Sequence, residues 1–261
     1  MKHAIHILLF SFLFLVSCSK DDNEPASPHS KIKIAEAVTA SGISVSLLAD
    51  QNDLSVAYNK IYVGLKNKAG AEIKNATVTY TPIMDMHTMQ HSSPVEQPAY
   101  SSTTELYEGA VVFSMPSGDM GSWQLKVTVN NEPVTFDVSI KQAAANTKYT
   151  ATFKGSDDQS YTVSLIQPAA PKIGMNDLEL LISKRQDMMN FPPEEGLTVE
   201  FSPEMPSMGH GSPNNVAPIH TGRGHYTGKV NFTMTGDWRL HLKLMKGSTV
   251  IVEDASLDLM F

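Results

Sequence analysis

Tyr107-Glu108-Gly109-Ala110-Val111-Val112-Phe113-Ser114-Met115 is the stretch that decides the fold. Side chains alternate along a strand, so Tyr107, Gly109, Val111, Phe113 and Met115 share one face of it. The chain writes the pattern again at the same spacing as Tyr226, Gly228, Phe232 and Met234. A tryptophan follows each copy, Trp123 after Gly-Ser and Trp238 after Gly-Asp, with extra residues ahead of Trp123. Ahead of the two copies stand Met86-His87-Thr88-Met89-Gln90-His91-Ser92-Ser93-Pro94 and Met205-Pro206-Ser207-Met208-Gly209-His210-Gly211-Ser212-Pro213, both M-x-x-M-x-H-x-S-P. A period of roughly 120 residues is too long for a solenoid unit and fits a whole domain. The sequence therefore reads as a duplicated module that carries a Met/His loop.

The flanking segments repeat the two-residue period. In the first half these are Ile43 to Ala49, Ile61 to Leu65, Ala76 to Tyr80, Trp123 to Val129, and Val134 to Ile140. In the second they are Tyr149 to Phe153, Tyr161 to Ile166, Leu178 to Ile182, Leu197 to Phe201, Trp238 to Leu244, and Thr249 to Leu259. Turns such as Asn130-Asn131-Glu132-Pro133 separate them, and no stretch sustains an apolar period of 3.6. The expectation is all-β, with two tandem immunoglobulin-like antiparallel β-sandwich domains over residues 32–142 and 147–261, each centred on its tryptophan. Gln142 to Asn146 is the expected linker.

The N-terminus has a different character. Met1-Lys2-His3 is basic, and Ala4 to Val16 is nearly all apolar, the length of a secretory core rather than of a membrane span. It ends in Leu15-Val16-Ser17-Cys18, which resembles the bacterial lipoprotein cleavage box. That implies a signal peptide over 1–17, acylation of Cys18, and attachment to the outer membrane, facing either the periplasm or the outside. Residues 18–31 are polar and proline-containing and read as a disordered tether. Because Cys18 is the only cysteine, disulfides within the chain and thiolate metal sites are excluded. A formal net charge of −7 argues against nucleic acid as a partner.

Methionine is the compositional anomaly: there are 14, many of them in or near the repeated motif. Thioether sulfur is neutral and soft and favours Cu(I), and an added imidazole lets a site tolerate Cu(II). The candidate metal ligands are Met86, Met89 and His91 in the first loop, and Met205, Met208 and His210 in the second. Met84, His87, Met115, His220, His225 and Met234 are auxiliary candidates. Methionine also fills irregular gaps in cores, so the competing interpretation is a Met-rich loop folded over the end of a sandwich. That applies most directly to Met115 and Met234.

The segments Pro203 to Pro213 and Tyr226 to Trp238 resemble the YtkA-like/FixH-like group of small extracytoplasmic β-domains. The first half resembles it with departures at Asp85 and His87 and in the extra residues before Trp123. The resemblance implies copper handling, with a copper transporter or an oxidase-assembly protein as partner. Catalysis is not expected: Gly209-His210-Gly211-Ser212-Pro213 ends in proline where a nucleophile elbow needs glycine, and no H-E-x-x-H or phosphate loop occurs. Two functional readings remain open. One is a membrane-anchored protein for Cu(I) capture, storage or delivery. The other is a structural or adhesive surface lipoprotein that binds no metal.

Overall fold

Trp123, Leu125, Val127 and Val129 are buried in strict alternation along one strand, and Trp238, Leu240, Leu242 and Leu244 repeat this in another. Each row needs a second apolar face to cover it, and a second sheet supplies one. The computed structural model describes residues 31–261. The expected signal peptide, Cys18 and the tether up to Ser30 lie outside the described residues. Lys31, assigned from sequence to the tether, is docked: its Nζ bonds Asp50 Oδ1 at 2.5 Å and sits over the Tyr62 ring.

The first half contains β1 (Ile32–Val38), β2 (Ser44–Ala49), β3 (Leu54–Ser55), β4 (Tyr58–Lys66), β5 (Val78–Asp85), β6 (Gln90–His91), β7 (Val95–Ser101), β8 (Leu106–Val112), β9 (Ser122–Val129), β10 (Glu132–Val138) and β11 (Ile140–Lys141). The second contains β12 (Thr150–Lys154), β13 (Ser160–Gln167), β14 (Gly174–Arg185), β15 (Thr198–Met205), β16 (His210–Gly211), β17 (Val216–Gly222), β18 (His225–Phe232), β19 (Asp237–Lys246) and β20 (Thr249–Met260). Sheets β1-β2-β4-β8-β7 and β10-β9-β5-β6 make the first sandwich; β12-β13-β14-β18-β17 and β16-β15-β19-β20 make the second. The two share one strand order. The all-β, antiparallel sandwich architecture is as the alternation predicts, apart from the short parallel pair β11–β3.

Each sandwich has its own core. Trp123 packs edge-on against Phe113 at 5.1 Å between centroids, and Trp238 packs against Phe232 at 5.2 Å. Both indoles are buried, and each Nε1–H donates to a methionine carbonyl, Met115 at 2.9 Å and Met234 at 3.0 Å. Burying the ~200 Å² of an indole is worth roughly 5 kcal/mol before entropy is counted.

The repeated Tyr and Gly have matching duties. Tyr107 accepts from Ala76 N–H and donates to the Ile73 carbonyl; Tyr226 accepts from Leu197 N–H and donates to that of Glu194. Each hydroxyl thereby pins the loop entering the opposite sheet. Gly109 and Gly228 lie under bulged edge strands: a Cβ would stand 2.7 Å from Glu96 O in one and 2.3 Å from Val216 O in the other. Those edge strands, β7 and β17, carry Pro98 and Pro218 and bury little, β7 being mostly half-exposed and β17 mostly exposed, so they lack the alternation that exposes a strand in sequence. Strand β1 is missed for the same want of alternation.

The sandwiches touch. Tyr58 Oη donates to Glu96 Oε2 at 2.5 Å, and Glu96 Oε1 meets His225 Nε2 of the second sandwich at 2.7 Å. Glu179 Oε1 holds the other ring nitrogen at 2.9 Å. A second seam joins Ser92 N–H to the Met188 carbonyl at 2.8 Å.

Candidate metal centre

The two Met/His segments are hairpins rather than free loops. In the first, β5 turns into β6 with Met84 opposite His91; in the second, β15 turns into β16 with Met205 opposite His210. Six residues separate the first pair and four the second. Equal M-x-x-M-x-H spacing therefore does not mean equal positions. Met84, and not Met86, stands where Met205 stands. Met84 is 0% exposed and Met205 6%, both within their cores. Both abut the glycine that opens the tryptophan strand: a Cβ on Gly121 would lie 3.0 Å from Met84 Cε, and one on Gly236 2.4 Å from Met205 Cε. For Met84 and Met205 the packing alternative describes the geometry.

Of the remaining motif methionines, Met89 and Met208 face outward. Met89 is 48% exposed and Met208 61%. Met86 is half-buried against the first core, its N–H donating to the Met89 carbonyl at 3.0 Å. In the second hairpin, the N–H groups of Met208 and Gly209 donate to the Met205 carbonyl. Asp237 ties that tip down, accepting from Ser207 N–H at 3.1 Å and its hydroxyl at 2.5 Å. In the first hairpin Asp85 does similar work through His87 N–H at 2.9 Å, and that bond holds the Asp85 carboxyl below the usual range.

The imidazoles are set alike. His91 Nδ1 lies 2.8 Å from the Ser92 carbonyl, and His210 Nδ1 lies 2.9 Å from that of Gly211. A carbonyl only accepts, so Nδ1 carries a proton, and in the neutral tautomer this selects, Nε2 is the nitrogen with the lone pair. Each ring stands edge-on to the buried indole, at 5.6 Å for His91–Trp123 and 6.1 Å for His210–Trp238. An imidazole Nε2 and a thioether on one hairpin are a donor set suited to a soft monovalent cation. Among the described residues, no three His, Cys, Asp or Glu side chains converge as a metal-holding group. Donation at the hairpins would rest on sulfur and one nitrogen.

The auxiliary candidates scatter. His87 sits exposed at the hairpin tip with φ of 67°. Met115 is half-buried against the core, while Met234 is exposed beside Trp238. His220 lies on edge strand β17, tilted against Tyr226 at 5.1 Å, with Nε2 buried and unpartnered. His225 has both ring nitrogens taken by Glu96 and Glu179, so it has none left for a metal. Met188, which lies outside the M-x-x-M-x-H motif, lines one cleft with His91 along the seam between sandwiches. Its one signal was the adjacent pair Met188-Met189 in a turn.

Residues 155–243 match the family described as YtkA-like. That span covers most of the second sandwich and includes its whole hairpin. No curated protein matches the chain. Among solved structures, the FdeC adhesin of Escherichia coli aligns at 12% identity and TM-score 0.26, over 87% of this chain and 66% of its own. Domains 5–6 of the S-layer protein SbsC align at 13% and 0.30, over 87% and 99%. The titin Ig tandem A164–A165 aligns at 10% and 0.20, over 80% and 89%.

Proposed function

We propose that this chain is a lipid-anchored extracytoplasmic protein that binds Cu(I) at its two hairpins, for capture, storage or delivery. The observation that carries the reading is the duplicated imidazole: in both sandwiches Nδ1 is committed to a neighbouring carbonyl, leaving Nε2 without a partner on a hairpin that also carries an outward-facing thioether. The match of residues 155–243 to a YtkA-like domain supports it, and by the shared strand order the first sandwich is proposed as a second such domain. Met89 with His91, and Met208 with His210, would hold the metal. Met86 stands close by in sequence, Met234 holds the Trp238 indole that His210 faces, and Met84 and Met205 form the floor. The metal would supply a soft, singly charged centre whose exposed ligands allow transfer to a partner such as a copper transporter or oxidase-assembly protein. Acylation of Cys18 would keep the protein at the outer membrane.

The test is titration of the purified protein with Cu(I) against a chromophoric competitor. The wild type should bind up to two equivalents. Met208→Leu with His210→Ala should remove one, and Met89→Leu with His91→Ala the other, and the methionine changes alone should leave thermal stability intact, since Met89 and Met208 are exposed. Unchanged binding in the fourfold variant defeats the reading and favours a metal-free surface protein. Mass spectrometry of protein from its native membrane should find acyl mass on Cys18.

A further inference from the structure

The two hairpins are not in equivalent surroundings. The partners of His210, the Gly211 carbonyl, Met205 across the hairpin and the Trp238 ring, all belong to its own sandwich. His91 opens onto a cleft of about 130 Å³ whose opposite wall belongs to the second sandwich and includes Met188, Phe191 and Arg185. The main-chain bond from Ser92 N–H to the Met188 carbonyl, 2.8 Å, joins the two walls one residue from the imidazole. Ser92 is itself fixed, buried with its hydroxyl donating to the Pro82 carbonyl at 2.7 Å.

Met188 is presented by a rigid turn. Asp187 Oδ1 accepts from Met189 N–H at 2.6 Å and Asn190 N–H at 2.9 Å, and Asp187 Oδ2 accepts from the Asn190 amide at 2.6 Å. The turn leaves Met188 38% exposed although it sits at a seam between two bodies. An apolar side chain serving only as packing would be covered there. The corresponding turn of the first sandwich, after β4, is built the same way: Asn67 Oδ1 accepts from Ala69 and Ala71 N–H. It carries Lys68-Ala69, and Lys68 lies against Gly42 in the β1–β2 turn rather than against a Met/His hairpin. Thioethers thus appear in the turn that reaches a histidine, and are absent from its twin. Arg185, hydrogen-bonded to Ser160 Oγ at 3.3 Å, keeps a positive charge on the rim, which disfavours a divalent ion more than a monovalent one.

We infer that Met188 is a thioether ligand of the His91 site, so that the first copper site is shared between the sandwiches while the second is not. This rests on the copper reading above. It follows that filling the first site ties the sandwiches together, and that the two sites differ in affinity and release.

The experiment uses the full chain with 13C-methyl-labelled methionine, titrated with Cu(I) and read by NMR together with competitor affinity. Met188→Leu keeps the apolar bulk and the main-chain bond, and should weaken one site by at least the roughly tenfold that even an outer-shell partner is worth. The His210 site should be unchanged in that variant, and in the wild type the Met188 methyl should shift together with that of Met89. A Met188 methyl that stays fixed while Met89 moves, with Met188→Leu binding like the wild type, overturns the shared site and leaves the copper reading standing. A wild type that binds no Cu(I) overturns both. Should Met188→Leu loosen the seam, the wild-type methyl shift still decides.

Discussion

Replacing Met84 by alanine tests the strand register on which the two hairpins are compared. The side chain is fully buried between Trp123 and Gly121, where Cε comes to within 3.0 Å of the position a glycine Cβ would take. Truncation removes about 2 kcal/mol of transfer free energy and leaves a cavity on the order of 60 Å³, which adds about 1.5 kcal/mol. The total of about 3–4 kcal/mol converts to a fall of roughly 6–16 °C in melting temperature for a body of this size. Met89→Ala, at an exposed tip, should stay within about 0.5 kcal/mol, or ~2 °C. Circular dichroism melts in copper-free buffer read both. If Met84→Ala melts within ~2 °C of the wild type, or Met89→Ala falls as far as Met84→Ala, then Met84 is not the packed counterpart of Met205 and the register argument fails.

Tyr226→Phe and Tyr107→Phe should each lose about 1–3 kcal/mol by denaturant unfolding, because each strands a backbone N–H and a carbonyl at a pinned loop. Gly121→Ala should destabilise more than Gly236→Ala: its Cβ meets the Asp85 main-chain oxygen at 2.2 Å, whereas that of Gly236 meets only the movable end of Met205, at matching positive φ. The His225 bridge predicts a pH dependence. Its hydrogen bond to Glu96, then that to Glu179, outweigh partial burial and raise His225 above 6.5, so its contribution is full below pH 6.5 and is lost as pH rises through the raised value. Burial, which would raise Glu96, is outweighed by hydrogen bonds from His225 and Tyr58, so it sits below 4.5 and its contribution is lost only as pH falls through that lowered value. Stability should therefore decline from about pH 6.5 upward, and His225→Gln should flatten that slope; an identical slope in the variant refutes the bridge.

The cores were legible because a strand buried on one face must alternate. Trp123 to Val129 and Trp238 to Leu244 declare themselves, and the repeated Tyr-x-Gly fixes where each partner strand runs. Strands β7 and β17 escaped because an edge strand with a proline and a bulge has little to bury, so its residues carry no period. The seam between sandwiches escaped for a different reason. Glu96, Glu179 and His225 are far apart in the chain and polar, and polar pairing leaves no repeat in the sequence that could announce it.

The Met/His motif shows where sequence and geometry part. Its letters name a chemistry, two thioethers and an imidazole, and the chain repeats them at equal intervals. Position in the fold is set by something else: the tryptophan strand and the glycine that opens it fix how β5 and β15 pair, and the histidine closes each hairpin opposite whichever methionine that pairing presents. With six intervening residues in one hairpin and four in the other, the register consumes Met84 in the first copy and Met205 in the second. The first hairpin thus carries Met86, half-buried against the core, and exposed Met89 ahead of His91, where the second carries only exposed Met208 ahead of His210. Duplication preserved the donors, and a two-residue difference in hairpin length redistributed them between core and surface.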